Sequence, residues 1–330
     1  MALWTPSQIT TALWLDASDN STITLNGSTV SQWNDKSGND RHAVQATAGQ
    51  QPTLTAAGLN GLDVLTMDGG DHMITSNVFT SASDVTVFLV HKATTIDSTG
   101  NAVFALQNGL DNSNGYLHCL ARSDISNHFR SFFTTDSAGS NATNQAPPTD
   151  FTTGVWRVTE HSRSATAARF GISGVVSEIS ASGQCNFTSA KGIIGCYFSL
   201  NYEWIGQIAF VMVVPSYLGT EDRQICEGYI HWHFGLQGNL AADHPYKSAA
   251  PTTNKVSGTV TVNGSPAART VAVFRRSDFT LLGTTTSDAS TGTFEILGMP
   301  LDANALLVTA IDSTGTYNAV SVDYITSVAQ

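Results

Sequence analysis

Short strand-like runs separated by tight-turn residues are the feature that most constrains this fold. Asn26-Gly27 and Asn263-Gly264 are each flanked by runs rich in β-branched residues. Asn-Gly predicts a β-hairpin because both residues tolerate the positive φ that a two-residue turn requires. Similar runs at 85–90, 193–198 and 205–214 are bounded by Gly, Asn, Asp or Pro. The pattern predicts an all-β protein.

One segment alone has the periodicity of a helix. It follows Thr220, which we expect to be the N-cap, and Glu221 and Asp222 place negative charge at the helix N-terminus. Apolar side chains then recur at helical spacing, at Ile225, Tyr229, Trp232 and Leu236. A single helix among strands predicts a β-sandwich with a helical lid rather than βαβ units.

A segment rich in Pro, Ala and Thr at residues 243–254 has no strand or helix pattern and is typical of an interdomain linker. We therefore expect a large sandwich at residues 1–242 and a small one at residues 255–330. In the small one, turn residues separate six strand-like runs, at 256–262, 269–276, 279–286, 292–297, 305–311 and 317–325.

Composition excludes several functional classes. The chain has 15 basic and 26 acidic residues, a net charge of −11, and no Lys/Arg cluster, so we expect no nucleic-acid partner. The longest apolar run, 208–214, is far shorter than the roughly 20 residues of a membrane helix, so we expect no membrane insertion. The N-terminus lacks a signal-peptide pattern, which indicates synthesis in the cytoplasm. For such a product we expect four reduced cysteines.

Four motifs, in order along residues 10–240, resemble the LamG-like, concanavalin A-like jelly-roll modules. They are LWLDAS at 13–18, WNDKSGN at 33–39, MDGGD at 67–71, and a closing stretch made of WIGQIAF at 204–210, EGYI at 227–230 and FGL at 234–236. The resemblance implies a concanavalin A-like jelly-roll sandwich with one helix near its end.

Residues 255–330 resemble the carboxypeptidase regulatory-like (transthyretin-like) module, a small Ig-like β-sandwich. The resemblance is carried by VSGTV at 256–260, Arg275-Arg276, GTTTSD at 283–288 and GTF at 292–294. Tandem modules of this kind look like bacteriophage virion structural proteins, such as head-decoration, collar or tail-fibre proteins. This step rests on analogy of fold.

The resemblance implies a non-enzymatic virion component that stabilises the particle or attaches it to a host surface. Its partners would be other virion proteins and a host surface glycan, its location the virion surface, and its state a homo-oligomer. A carbohydrate-binding adhesin and a glycan hydrolase on the same fold are the alternatives.

The hydrolase alternative needs two carboxylates, about 5 Å apart in a retaining enzyme. None of the six Glu residues lies within four residues of another, and Glu203 on a predicted strand is the one candidate. Carboxylates brought together from distant strands would still be compatible with an enzyme. We predict that the chain is not one.

Asp68 and Asp71 flank two glycines and could form a calcium loop, because carboxylate oxygens suit that ion. The same four residues are typical of a tight turn, which we favour. We expect no cofactor, with calcium as the alternative. His231 and His233 cannot share a metal ion, because residues two apart on a helix point in different directions.

The amide-rich segment at 107–116 is the predicted recognition loop. Asn112, Asn114 and Tyr116 could supply the hydrogen bonds and the aromatic surface that a sugar needs. The alternative, which we favour, is that these residues form ordinary surface loops.

Overall fold

The computed structural model describes residues 3–79, 84–96, 100–108, 116–122, 128–134, 143–145, 152–181, 185–197, 200, 202–252, 254–277, 279–299, 306–312, 320–325 and 328–329. The chain forms two compact units: a large body of residues 9–249, and a small body of residues 250–330 together with residues 1–8. Within the described ranges, no helix has the length and apolar character needed to cross a bilayer.

The large body is almost entirely β-structure. Its strands are β1 Leu13–Asp16, β2 Ile23–Asn26, β3 Thr29–Trp33, β4 Ala43–Val44, β5 Thr53–Leu59, β6 Leu62–Asp68, β7 Met73–Asn77, β8 Val85–Ala93, β9 Asn101–Asn108, β10 Tyr116–Arg122, β11 His128–Thr134, β12 Thr143–Gln145, β13 Arg157–Arg163, β14 Ala167–Ile172, β15 Val175–Ser180, β16 Ala190–Ile194 and β17 Ile205–Val214. Its α-helix is α1, Thr220–His233, and short 3-10 helices lie at Asn20–Thr22, Ala48–Gln50 and Gln237–Asn239.

The strands form two layers. Layer A has the order β15-β14-β13-β8-β17, and β17 then pairs with β6 along its first half and with β1 along its second half. Layer B has the order β12-β11-β10-β9-β16-β7-β4. Through β3, which pairs with β4 and touches β5, the layers join into one curled antiparallel sheet. The predicted all-β jelly roll is confirmed.

Alternate side chains of the two layers fill the core, as the two-residue period of a strand requires. Examples are Val87 in β8, Val211 in β17, Phe104 in β9 and Leu117 in β10, all fully buried. All four cysteines are buried free thiols.

The helix α1 lies on the outer face of layer A. Its N-cap is Gly219, whose backbone is extended, so Thr220 is the first helical residue and the expected Thr220 cap is wrong. Glu221 and Asp222 lie in the first turn, as predicted. The ring of Phe234, just after α1, meets Phe210 of β17 edge-on at 5.7 Å between centroids. The helix and the residues that follow it therefore cover the part of the outer face of layer A around β17.

Residues 244–247, in the predicted linker, pack against α1. His244 Nε2 lies 3.1 Å from Glu227 Oε2. Trp232, which is half-buried, donates its indole N–H to the backbone oxygen of Tyr246 at 2.8 Å. Lys247 Nζ donates to the backbone oxygen of Leu240, in the segment that follows α1, at 2.7 Å. We call this contact between α1 and residues 244–247 the helix lock.

The small body packs two sheets against each other. Its strands are β18 Asn254–Thr259, β19 Thr261–Val262, β20 Ser265–Pro266, β21 Thr270–Arg275, β22 Leu281–Thr286, β23 Thr293–Met299, β24 Leu306–Ile311, β25 Val320–Ile325 and β26 Val328–Ala329; a 3-10 helix spans Pro6–Gln8. One sheet has the order β23-β18-β26, the other β22-β21-β24-β25, and β19 pairs with β20. Val256 and Ile296 of the first meet Val271 and Leu306 of the second in a common core.

The predicted hairpin at Asn26-Gly27 forms. The predicted turn at Asn263-Gly264 also forms, but between the short strands β19 and β20 rather than between the runs at 256–262 and 269–276, because β21 pairs with β22 and β24. Asn263 and Gly264 have φ of 52° and 82° and make the two-residue turn between β19 and β20. In the first hairpin Asn26 pairs with Thr29, so the turn residues are Gly27, at φ 69°, and Ser28. The turn thus lies one residue later than the dipeptide suggests.

Candidate functional site

The outer face of layer B is covered by a loop rather than by a helix. Ala105 of β9 and Ile193 of β16 are fully buried on this face. Cys196, Tyr197 and Leu200, from the loop that follows β16, pack against them. The described residues of this loop, 195–197, 200 and 202–204, bring an aromatic cluster to the surface of layer B.

The cluster is a stack of three rings. The ring of Tyr197 lies between those of His118 and Tyr202, with centroids 4.1 Å from the first and 4.5 Å from the second. The two tyrosine rings are close to parallel, at 18°. His118 is buried, whereas Tyr197 and Tyr202 are half-buried. We call the two tyrosines the aromatic platform.

A buried polar pair lies beneath the aromatic platform. His118 Nε2 is 3.2 Å from Gln107 Oε1, between the neighbouring strands β10 and β9. Burial lowers the pKa of His118 to about 3, so the ring is neutral at physiological pH. With a carbonyl oxygen as its partner, Nε2 carries the proton and donates. The base of the platform is therefore polar but uncharged.

The loop holds two residues in the left-handed region. Leu200 has φ of 57° and Tyr202 has φ of 60°. Each such residue costs on the order of 1 kcal/mol unless glycine occupies it. Two hydrogen bonds from β9 compensate: Ala102 N donates to Tyr202 O at 2.8 Å, and Asn101 Nδ2 donates to Glu203 O at 2.7 Å. Strain of this kind clusters at functional sites, which motivates the assignment.

Gly195 starts the loop at φ 87°. A Cβ atom there would lie 2.9 Å from the backbone oxygen of Asp71, so only glycine fits between the loop and the β6–β7 turn. The left-handed turn also ends β16 at Ile194, so the predicted strand at 193–198 is wrong at residues 195 and 196, and residue 198 lies outside the described residues.

The predicted calcium residues form that β6–β7 turn. Asp68 Oδ1 accepts from Gly70 N at 2.9 Å, and Asp71 Oδ2 accepts from Asp68 N at 3.1 Å. Gly69 has φ of 98°. Burial and the nearby Asp68 raise the pKa of Asp71 to about 6. Both carboxylates thus bond backbone N–H groups of their own turn.

Across the described part of the chain, no three His, Cys, Asp or Glu side chains are grouped so that they could hold a metal ion. Calcium binding at Asp68 and Asp71 stays a prediction.

The predicted recognition loop is only partly within the described residues. Asn112 and Asn114 lie outside them. Tyr116 begins β10, where its Cα pairs with that of Gln107. Its place in the chain is thus two residues before His118 on the same strand. A role for these three residues in ligand binding stays a prediction.

Two glutamates converge under α1, but neither faces solvent. Glu160 is 1% exposed and bonds Arg169 Nε at 2.8 Å, while Glu227 is 2% exposed and accepts two hydrogen bonds from Arg223 at 2.7 Å. Burial raises the pKa of Glu160, opposed by Arg169. The Glu203 side chain is half-buried. The buried pair cannot contact a polysaccharide while α1 is in place.

The two histidines of α1 have separate partners. His231 is buried and its Nδ1 donates to Glu227 O at 2.7 Å. His233 Nε2 lies 3.2 Å from Asp16 Oδ2 and 3.0 Å from Ser18 Oγ. The two side chains thus bond to different parts of the large body, one under α1 and one at the LWLDAS motif.

The sequence contained one signal for the platform. Residues 197–204 include four aromatic side chains in eight positions. Because residues 193–198 have the composition of a strand, and a strand places successive side chains on alternating faces, the sequence did not predict that these aromatic rings stack.

Comparison with known proteins finds solved structures with a similar fold, and no match by sequence. No family model matches the chain, and no curated protein matches it. Domain 4 of AbnA, a GH43 extracellular arabinanase from Geobacillus stearothermophilus in complex with arabinotriose, is 13% identical with a TM-score of 0.49, covering 64% of this chain and 94% of that one. The binding domain of Paraclostridial Mosquitocidal Protein 1 is 11% identical with a TM-score of 0.49, covering 96% and 73%.

The ligand binding domain of Botulinum neurotoxin serotype D, in complex with N-acetylneuraminic acid, is 11% identical with a TM-score of 0.48, covering 93% of this chain and 72% of that one. Identities this low bear on the fold alone.

Proposed function

We propose that this chain is a non-enzymatic carbohydrate-binding protein of a virion surface, and that the aromatic platform on layer B contacts the glycan. The observation that carries the proposal is the stack in which Tyr197 and Tyr202 lie half-buried over the buried His118–Gln107 pair.

The chemistry of the platform suits a sugar. A sugar ring has a face of C–H groups and a rim of hydroxyls, so it needs apolar ring surface beside hydrogen-bonding groups. Tyrosine supplies both, through its ring and its hydroxyl. The uncharged base favours a neutral sugar ring. Because the loop is already fixed by its backbone hydrogen bonds, less ordering entropy is lost on binding.

The buried glutamates support the non-enzymatic part. A glycosidase needs one carboxyl group to protonate the leaving oxygen and a second to attack or to activate water. Glu160 and Glu227 are instead engaged by Arg169 and Arg223 beneath α1.

The virion part of the proposal rests on the resemblance of the two modules to phage structural proteins. A weak glycan site would suffice there, because copies repeated on a particle multiply into avidity.

A glycan array with the full chain tests the glycan part. We expect Y202A to lose at least about tenfold in affinity for the glycan that the wild type binds, equivalent to about 1.4 kcal/mol. F279A is the control, since Phe279 is 67% exposed in the small body and its loss tests nonspecific adhesion by an exposed ring. N112A and Y116A on the same array test the predicted recognition loop.

A wild-type chain that binds no glycan would contradict the proposal. So would equal losses for Y202A and F279A. Release of reducing ends from a bound polysaccharide would instead support the hydrolase alternative. Immunogold imaging of purified particles tests the virion part, and particles without label would exclude it.

A further inference from the structure

Strand β15 is the last strand of layer A within the described residues, and its edge is rich in apolar side chains. Among the described strands it pairs with β14 alone. Val175 and Ile179 are 44% and 38% exposed, and the strand has no Pro or Lys. Natural proteins protect sheet edges with such residues or with bulges, because an edge is a template for pairing with another chain.

Another edge of the large body has this protection. Strand β5 pairs with β6 and, by one residue pair, with β3, and its pairing with β6 has a register break between Thr55 and Leu59. Ala57 in that break has φ of 52°. This irregularity disturbs the pairing edge of β5, whereas β15 pairs with β14 without any register shift.

The hairpin between β14 and β15 determines which residues of β15 direct their backbone N–H and C=O groups toward β14. Ser173 and Gly174, with φ of 49° and 84°, form a two-residue turn closed by Ile172 and Val175. The closing pair of such a turn is hydrogen-bonded, so the odd residues of β15 bond to β14. Ala181 N donates to Thr166 O at 2.8 Å, so the same alternation continues beyond the end of β15. The backbone groups of Val176 and Glu178 therefore point away from β14.

Two copies of β15 can pair antiparallel with Ser177 of one copy opposite Ser177 of the other. In an antiparallel pair centred there, Val176 faces Glu178 of a second copy, and both residues direct their backbone groups toward the partner. Val175 then faces Ile179 of the second copy, twice, in non-hydrogen-bonded pairs, where side chains approach most closely. A two-fold interface repeats the same patch in this way.

The one charge of β15 does not oppose this pairing. Glu178 Oε2 accepts a hydrogen bond from Tyr217 at 2.5 Å and lies 3.5 Å from Arg169 Nη1. Its charge is thus compensated within its own chain. In the register centred on Ser177, it meets Val176 of the second copy rather than another glutamate.

We propose that β15 pairs with β15 of a second copy of this chain, antiparallel and centred on Ser177, so that two large bodies share one continuous layer A. The dimer would carry two aromatic platforms, one in each copy.

Cysteine cross-linking of the full chain tests the register. S177C places two thiols across the two-fold axis, with Cα atoms about 4.5 Å apart, within the range that a disulfide spans. S180C is the matched control, because its two copies would lie about 20 Å apart at 3.3 Å per residue. The four native cysteines are buried and would not react in the folded chain. We expect a disulfide-linked dimer from S177C and not from S180C.

Sedimentation velocity over a range of concentrations tests the dimer itself. We expect the wild type to approach twice the chain mass of 34.9 kDa. I179K should raise the dissociation constant at least about tenfold. V44K is its control, since Val44 is 47% exposed on β4 of layer B. A wild type that stays monomeric, a dimer that I179K leaves intact, or equal cross-linking by S177C and S180C would overturn the proposal.

Discussion

The outer faces of layers A and B are built in different ways. On layer A, α1 and the helix lock bury charged side chains that have partners inside the chain, such as Arg223 and Glu227. On layer B, a single loop held by backbone hydrogen bonds leaves two tyrosine rings half-buried. The first face is closed by its own chain, and the second presents ring surface to solvent.

Two of the sequence motifs that resemble the jelly-roll family contribute side chains to the outer face of layer A. LWLDAS contains Asp16, which bonds His233 after α1 crosses layer A, and EGYI contains Glu227 and Gly228 of the helix lock. The side chains of these two motifs thus help to close the outer face of layer A. The aromatic platform comes from residues outside them. LWLDAS and EGYI therefore describe how layer A is closed, and they give no information on the aromatic platform.

The largest loss of stability is expected when a buried charge under α1, on the outer face of layer A, is removed. E227A would leave the Arg223 guanidinium, 5% exposed, without its carboxylate, and removing one partner of a buried pair costs about 3–5 kcal/mol. Denaturant unfolding followed by tryptophan fluorescence would measure this. E178A is the control, because the Glu178 side chain is 51% exposed, and we expect a loss below about 1 kcal/mol. Equal losses would mean that the closed face is not held by its buried pairs.

A smaller loss is expected from G228A. The added Cβ would lie 2.7 Å from Cβ and Cγ of Tyr246, so the helix lock must shift, at about 1–3 kcal/mol. G238A is the matched control, because a Cβ there meets nothing within 4 Å. If G228A were as stable as G238A in the same unfolding experiment, residues 244–247 would not be packed on α1.

The outer face of layer B should tolerate the loss of the Tyr202 ring with little change in stability. Y202A removes a stacked pair worth about 0.5–1.5 kcal/mol, and we expect an unfolding free energy lower by about 1 kcal/mol. The variant would then separate binding from folding. A loss as large as that of E227A would show that the platform is part of the core, and a loss of glycan binding by Y202A would then report unfolding.

The smallest effect concerns the turn beneath the loop. The pKa of Asp71 is raised from its ordinary value to about 6, so between pH 4 and 6 the folded state binds more protons than the unfolded state. Stability therefore falls as pH rises through this window. D71N removes that fall, and we expect its stability relative to the wild type to be higher at pH 7 than at pH 4. Thermal melts at both pH values would check this, and a difference that is larger at pH 4 would contradict it.

Local patterns predicted much of this fold. Asn263-Gly264 marked its turn because the positive φ is a property of those two residues, and α1 followed from its periodicity. The packing of residues 244–247 was not predictable, since their composition is that of a linker and their partners lie on α1. The platform was also hidden, because His118 and Tyr197 meet only when β10 and the loop after β16 share a face.

The position of β17 has a consequence for biosynthesis. It lies in the middle of layer A, with β8 on one side and β6 and β1 on the other, yet it ends at Val214. At 5–20 residues per second, a ribosome needs about 10–40 s to translate the chain from Leu13 to Val214. Throughout that time Leu13 and its neighbours have no strand to pair with. The nascent chain would thus be most vulnerable to aggregation before β17 emerges, and would fold late and in one step once the central strand arrives.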